Sequence, residues 1–234
     1  MSFAYGKFYQ NPEDEYLVQT KNLDFEQADH YLLNYLYMGN GHVFRVEGYY
    51  KDYDKLFKTK NNQFNNAGSG YAHGIDLFWK DRKTIKDVDY WVSYSYLNTK
   101  RGFRNYPVSS IPPFAGKHTL NVVYKQFFEK VSLQVGATYT YATGRTYFNP
   151  NNPVYIGDKT INNQNLSLSV SYLTRVFNQF TVIYTSINNI PGFKNVYGYN
   201  YSDNGQNRLA VQPPARRNFF VGMFIAIGDN TFVR

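Results

Sequence analysis

The residues of this chain that could do chemistry form none of the familiar reactive patterns. Its four histidines are His30, His42, His73 and His118, and their spacing matches no metal-binding motif such as H-E-x-x-H. The chain has no cysteine, which excludes a thiolate metal site, a disulfide framework and a cysteine nucleophile. No G-x-S-x-G nucleophile elbow occurs. We therefore predict a protein that is not an enzyme and has no catalytic, cofactor-binding or metal-binding residues.

Three glycines come close to a nucleotide-binding fingerprint. Gly68, Gly70 and Gly74 are spaced as G-x-G-x-x-x-G, one residue away from the dinucleotide pattern, and no helical pattern follows them. We interpret these glycines as strand positions that face a crowded interior.

An acidic cluster lies near the start of the chain. Glu13, Asp14 and Glu15 are followed by Asp24 and Glu26, but their spacing does not match an EF-hand calcium loop. The pattern favours a solvated loop, and weak cation binding is the alternative.

A basic segment runs over Asn98–Lys117. It contains Lys100, Arg101, Arg104 and Lys117 and no acidic residue, so it could face anionic lipopolysaccharide or an anionic ligand. A merely solvated loop is an equal alternative, and its role stays open. Nucleic-acid binding is disfavoured because the aromatic residues of the chain follow strand alternation instead of interleaving with basic residues.

The composition restricts the class of protein that must position these residues. Of 234 residues 19% are aromatic, and the formal net charge is +8. The longest nearly apolar run, Phe219–Ile227, has nine residues, whereas a membrane-spanning helix needs about 18. The aromatic content is too high for a disordered chain, and no secretory leader follows Met1. An all-β protein remains, either soluble or in an outer membrane.

Ten segments alternate between apolar and polar residues with the period of a β-strand. In the clearest of them, Val131–Ala142, Leu133 and Val135 lie on one face and Gln134 and Thr138 on the other. The ten predicted strands are Ser2–Tyr9, Ala28–Tyr37, Val43–Leu56, Gly70–Lys80, Tyr90–Leu97, His118–Lys125, Val131–Ala142, Asn165–Arg175, Phe180–Ile187 and Asn218–Ile227. A turn signal at Gly228–Asn230 predicts that the last strand ends near Ile227, which makes Phe232 a doubtful strand terminus.

Short and long connections alternate between these strands. The short ones are Met38–His42, Asp81–Asp87, Gln126–Lys130 and Phe177–Gln179. The long ones are Gln10–Gln27, Phe57–Ala67, Asn98–Lys117, Thr143–Gln164 and Asn188–Arg216. In an up-and-down sheet this places all short turns at one end, as in transmembrane β-barrels. A soluble sheet with one face on a core is the alternative.

Several short sequence stretches follow one another in a characteristic order along nearly the whole chain. The stretches are Ala4–Pro12, Gly68–Leu77, Tyr94–Asn98, Pro112–Phe114, His118–Asn121, Tyr139–Thr146, Asn189, Asn195–Tyr199 and Arg217–Phe224. This ordered series resembles the C-terminal β-barrel portion of a TonB-dependent outer-membrane receptor of the Bacteroidota type. The resemblance implies a transmembrane, antiparallel, up-and-down barrel.

Members of that family also carry a TonB box, a plug domain and a barrel of about 22 strands. The resemblance therefore implies that residues 1–234 are a fragment with about the last ten strands and no plug domain. Ten strands could close, but a sequence suited to a wide barrel has the wrong curvature for a narrow one. We therefore expect an open, curved sheet.

The resemblance implies a receptor that actively imports a scarce nutrient, such as an iron chelate, a glycan or a peptide. Its extracellular loops would bind the ligand through residues that the sequence does not identify. Its surroundings would be outer-membrane lipid and lipopolysaccharide, and the TonB complex would be contacted only through the missing N-terminal part. Whether a surface lipoprotein partner exists stays open. The alternative is a standalone small barrel or soluble β-protein that acts as an adhesin or carbohydrate-binding module.

Overall fold

The computed structural model describes residues 1–18, 20, 23–60 and 63–227 and consists almost entirely of antiparallel strands. The first half contains β1 (Ser2–Gln10), α1 (Asp14–Leu17), β2 (Glu26–Gly39), β3 (His42–Lys60), β4 (Gln63–Asp81), β5 (Val88–Gly102) and β6 (His118–Phe128). A 3₁₀ turn at Glu129–Val131 precedes β7 (Leu133–Ala142), β8 (Thr146–Tyr147), β9 (Asp158–Lys159) and β10 (Asn163–Val176). The remaining strands are β11 (Gln179–Asn188), β12 (Gly198–Tyr201), β13 (Arg208–Val211) and β14 (Asn218–Ile225).

Ten of these strands form one up-and-down sheet in the order β1-β2-β3-β4-β5-β6-β7-β10-β11-β14. Within the described residues, β1 pairs only with β2 and β14 pairs only with β11, so the sheet is open. Each of the ten predicted strands is found in this sheet. The predicted fold class, an antiparallel up-and-down sheet that does not close, is therefore confirmed.

The boundaries differ from the prediction at three places. The link Phe57–Ala67 was predicted as a long loop, but β3 and β4 continue as a paired ladder up to Lys60 and Gln63. The polar residues at the tip of this hairpin do not alternate with apolar ones, so the sequence pattern does not mark them as strand. The strand predicted from Val131 starts at Leu133, since Ser132 adopts a left-handed backbone conformation with φ 49°.

The third difference concerns the ends of other predicted segments. Residues Asn98–Gly102, which were assigned to the basic loop, belong to β5. The last strand ends at Ile225 instead of near Ile227, and Gly228–Asn230 and Phe232 lie outside the described residues. Two small hairpins inside the long loops, β8–β9 and β12–β13, were not predicted.

One face of the sheet, called the outer face here, is apolar from strand to strand. Leu77 is the register partner of Tyr94, Tyr94 of Leu120, and Leu120 of Tyr141. No other layer of the described chain covers this face: Leu133, Val135 and Val170 are only half-buried, and Leu168 is 42% exposed. The predicted pattern of uncovered apolar side chains is therefore confirmed.

The buried residues lie mainly at the end of the sheet where the long loops are. They include Leu56, Phe57, Tyr106, Ala115, Tyr147, Ile156 and Val196. The loops pack on one another there: Thr146 donates a hydrogen bond to the backbone oxygen of Ile111 over 2.9 Å, and Asn151 donates to that of Gly205 over 2.8 Å. The described helices include none that is long and apolar enough to span a membrane.

Candidate functional site

The opposite side of the sheet, called the inner face here, contains a groove that runs along β4. Its floor consists of Gly70, Ala72 and Gly74, which occupy every second position of the strand and therefore point to the same side. A Cβ added at Gly74 would lie 2.0 Å from the backbone oxygen of Tyr96 and 2.6 Å from the hydroxyl of Tyr49. The prediction that these glycines face crowded space is confirmed.

The walls of the groove come from the two strands that flank β4. In register across the sheet, Tyr53 of β3 lies opposite Gly70, and Gly70 lies opposite Arg101 of β5. The next inner-face row is Lys51, Ala72 and Thr99. Because β4 contributes almost no side chain in these rows, the long side chains of β3 and β5 meet over it.

Arg101 is the central residue at the long-loop end of the groove. Its guanidinium carbon lies 4.0 Å from the ring centre of Tyr53 and 5.5 Å from that of Phe114 in the loop above, within the range of cation–π attraction. The strand is fixed at this point, because the backbones of Arg101 and Ser110 exchange hydrogen bonds of 2.9 and 3.0 Å. Arg101 is therefore held against aromatic rings by a rigid backbone.

The donors of Arg101 are not used within the described part of the chain. Its Nε atom is shielded from solvent and has no hydrogen-bond acceptor there. Two other basic residues at this end are paired with carboxylates: Arg104 lies 2.5 Å from Glu13, and Lys55 lies 2.7 Å from Asp24. Arg101 thus combines three aromatic contacts with a shielded donor that has no acceptor among the described residues.

Three depressions in the surface share Arg101 as a lining residue. The groove itself has a volume of about 300 Å³ and also contacts Lys51, Tyr49 and Phe114. A second depression, of about 480 Å³, lies towards β1 and β2 and includes His30. The third, of about 180 Å³, lies under α1. The two larger volumes are in the range of ligand pockets.

The carboxylates in the groove lie at its other end. Glu47 and Asp76 face each other across β3 and β4, and Glu47 accepts a hydrogen bond of 3.1 Å from Asn34. Lys51 follows Glu47 by four positions along β3, which corresponds to about 13 Å along an extended strand. The groove is therefore basic towards the long loops and acidic towards the short turns.

The acidic cluster near the start of the chain is spread over separate partners. Glu13 pairs with Arg104, and Asp24 with Lys55. Glu26 accepts a hydrogen bond of 2.7 Å from the backbone amide of Phe57. The hydrogen bond from Lys55 holds the pKa of Asp24 below its usual range. These contacts support the solvated loop over cation binding, and the described residues contain no group of His, Asp and Glu that could hold a metal ion.

The four histidines lie apart, each beside a partner of another type. The ring of His30 lies 4.5 Å from that of Phe8. His42 lies 3.3 Å from the hydroxyl of Thr84, His73 lies 3.1 Å from the amide nitrogen of Asn98, and His118 lies 2.8 Å from the hydroxyl of Tyr94. No two of the four histidines are brought together in the described part of the chain.

The basic residues of Asn98–Lys117 have different environments and do not form one patch. Arg101 lies in the groove, Arg104 is paired with Glu13, and the ammonium of Lys117 lies 5.8 Å from the ring centre of Tyr96. Arg101 could not be singled out from the sequence, because its partners come from strands whose register is not visible there. The alternation of Gly70, Ala72 and Gly74 is the one sequence signal that points to the groove.

An open antiparallel sheet with an uncovered apolar outer face, a polar groove inside and long loops at one end defines the wall of an outer-membrane β-barrel. Residues 2–190 match the family described as "TonB dependent receptor-like, beta-barrel". The chain belongs to this family. Its members are transporters and receptors, and their location is the outer membrane.

Solved structures share this fold. The chain is similar to the outer membrane transporter YddB from Escherichia coli, with a TM-score of 0.65, 14% identity and coverage of 87% of this chain and 33% of that one. For the ferric yersiniabactin uptake receptor FyuA from Yersinia pestis the TM-score is 0.62, with 15% identity over 94% of this chain and 33% of that one. The chain therefore spans about a third of the length of these structures. No curated protein matches it significantly.

Proposed function

We propose that this chain is part of the barrel wall of a TonB-dependent importer. A nutrient that enters between the long loops would contact the inner-face groove. The observation that carries the proposal is the division of one sheet into an uncovered apolar face and a polar face with a groove at the long-loop end. For the nutrient we propose an iron chelate, which the similarity to a ferric yersiniabactin uptake receptor supports, with a glycan or a peptide as alternatives.

The chain would supply only part of such an importer. We propose that it corresponds to about ten of 22 strands of a receptor of the Bacteroidota type. A plug domain and the contacts with the TonB complex would lie in sequence upstream, and a surface lipoprotein would be an additional partner. In hydrocarbon each unpaired backbone group at an open edge costs several kcal/mol, so further strands are needed beside β1 and β14. Plug-like sequence in frame upstream of Met1 would support this proposal, and a promoter there would contradict it.

The orientation of the sheet can be tested with the two tryptophans. Trp79 lies on the outer face, where its ring is 6.3 Å from that of Phe44. Trp91 lies on the inner face, with the ammonium groups of Lys80 and Lys125 at 5.0 and 5.2 Å from its ring centre. The full chain is folded in detergent micelles that contain a brominated detergent, which quenches only tryptophans close to the acyl chains.

The variant W91F retains Trp79 and the matched variant W79F retains Trp91. We expect strong quenching of Trp79 and weaker quenching of Trp91. Equal quenching, or stronger quenching of Trp91, would contradict the assignment of the outer face to lipid. Monodisperse protein without detergent would contradict it too, and would favour the standalone soluble β-protein.

A further inference from the structure

We propose that Arg101 is the specificity-determining residue of the groove and that it selects an organic anion with a carboxylate group next to a flat apolar part. This inference rests on the proposed function of the groove as a nutrient contact and names the ligand class for it. Three features lead to it: the unused donors of Arg101, the aromatic rings around it, and the distribution of charge along the groove.

The first feature is the state of the guanidinium. Nε of Arg101 lacks an acceptor among the described residues, while Arg104 and Lys55 are neutralised by Glu13 and Asp24. A guanidinium presents pairs of parallel N–H donors that match the two oxygens of a carboxylate. Because Nε is shielded from solvent, a ligand carboxylate would pair with the other edge of the guanidinium, which the two Nη atoms form.

The second feature is the set of aromatic rings. Tyr53 and Phe114 contact the guanidinium at 4.0 and 5.5 Å, and Phe103 lies at 5.9 Å. Rings that contact the face of a guanidinium leave its edge free for hydrogen bonds. The exposed parts of these rings, among them Phe114 at 56% exposure, offer contact area for a flat apolar group next to the carboxylate.

The third feature is the direction of the charge gradient. Lys51 lines the groove one row below Arg101 and has only an aromatic contact, 5.5 Å from the ring centre of Tyr49, among the described residues. Glu47 and Asp76 follow nearer to the short turns, and they repel an anion that moves deeper. Glu26 of β2 lines the two neighbouring depressions but not the groove itself, and its Oε1 atom accepts a hydrogen bond from the amide of Phe57. An anion would therefore rest at Arg101 and Lys51.

Phthalate is a suitable probe, because it combines a flat ring with two carboxylates. Its neutral diamide, phthalamide, has a closely similar shape and no charge. Binding of both to the full chain in detergent micelles is measured by isothermal titration calorimetry and by saturation-transfer NMR. We expect phthalate to bind at least about tenfold more tightly than phthalamide, since charge-assisted bidentate hydrogen bonds are lost with the diamide.

Three variants separate the role of Arg101 from general effects. R101Q is expected to reduce phthalate affinity at least about tenfold, and R101K to restore part of the loss, because lysine keeps the charge but not the fork. K51Q provides a second test that leaves the stacked Arg101 in place, with a smaller loss of affinity. R82Q, at an exposed arginine that pairs with Asp89 at the short-turn end, is the matched control and should bind as the unaltered chain does.

Equal binding of phthalate and phthalamide, or unchanged phthalate binding in both R101Q and K51Q, would overturn the inference. Near-ultraviolet circular dichroism of each variant shows whether it is folded, and K51Q decides the question if R101Q does not fold. Quenching of Trp79 by brominated detergent does not depend on Arg101. A failure of the ligand assignment can therefore be distinguished from a failure of the proposed membrane orientation.

Discussion

The close approach of strands at Gly74 makes a quantitative prediction for the stability of the sheet. In the variant G74A, the new Cβ would lie 2.0 Å from the backbone oxygen of Tyr96 and 2.6 Å from the hydroxyl of Tyr49. The tyrosine can rotate away, but the backbone oxygen belongs to the adjacent strand and can move only if the ladder is distorted. Overpacking of this kind costs about 1–3 kcal/mol, so we expect the free energy of unfolding to fall by that amount.

Gly48 of β3 is the matched control, since a Cβ added there meets nothing within 4 Å. Replacing glycine by alanine inside a strand without strain is expected to stabilise the protein by about 0.5–1 kcal/mol. The two variants G74A and G48A should therefore shift stability in opposite directions. Guanidinium unfolding in detergent micelles, followed by tryptophan fluorescence, measures both shifts. If G74A were as stable as G48A, the strands would not approach closely at Gly74 and the description of the groove floor would be wrong.

Three further predictions concern the turns and loops. The buried carboxylate of Asp81 accepts hydrogen bonds from the backbone amide and the hydroxyl of Thr84 at 2.9 and 2.5 Å. D81A should therefore lower the free energy of unfolding by about 2–3 kcal/mol, measured by thermal unfolding. Unchanged stability would contradict this role of Asp81. R104Q removes the exposed ion pair of Arg104 with Glu13 and should change the free energy of unfolding by less than about 1 kcal/mol. It should nevertheless speed hydrogen exchange around Glu13. Unaltered exchange would show that this ion pair does not hold the loop that contains Glu13. Hydrogen bonds from asparagine side chains keep the pKa of Asp158 below its ordinary value of 3.8. The stability that these hydrogen bonds contribute is present above pH 3.8 and is lost as the pH falls through the lower pKa of the folded state. The loop around Asp158 should therefore lose protection from hydrogen exchange in acid in the unaltered chain but not in D158N. Identical pH profiles of exchange in the two proteins would refute the assignment.

The strands could be predicted because the outer face requires an apolar residue at every second position of a strand. Every second residue of β7 and β10 must be apolar, so Leu133, Val135, Leu168 and Val170 mark their strands without knowledge of the tertiary structure. The tip of the β3–β4 hairpin does not follow this rule. Around Lys58 and Lys60 apolar and polar residues do not alternate, so the sequence pattern predicts a loop where the structure has a paired ladder.

The groove could be predicted only in outline, for a different reason. Tyr53, Gly70 and Arg101 lie far apart in sequence and meet through the register of three strands. Register depends on turn geometry and on bulges, and β3 contains an irregularity between Tyr53 and Leu56. Sequence alternation identifies which residues share a face but does not identify their neighbours across the sheet.

The direction of the two edge strands limits how the wall can be completed. β1 runs towards the long-loop end, and β14, nine strands further round the sheet, runs back towards the short turns. Whatever joins these edges in an alternating ladder must therefore contribute an even number of strands. Gain or loss of a single strand would bring two strands of the same direction together, so this architecture can grow or shrink only by whole hairpins.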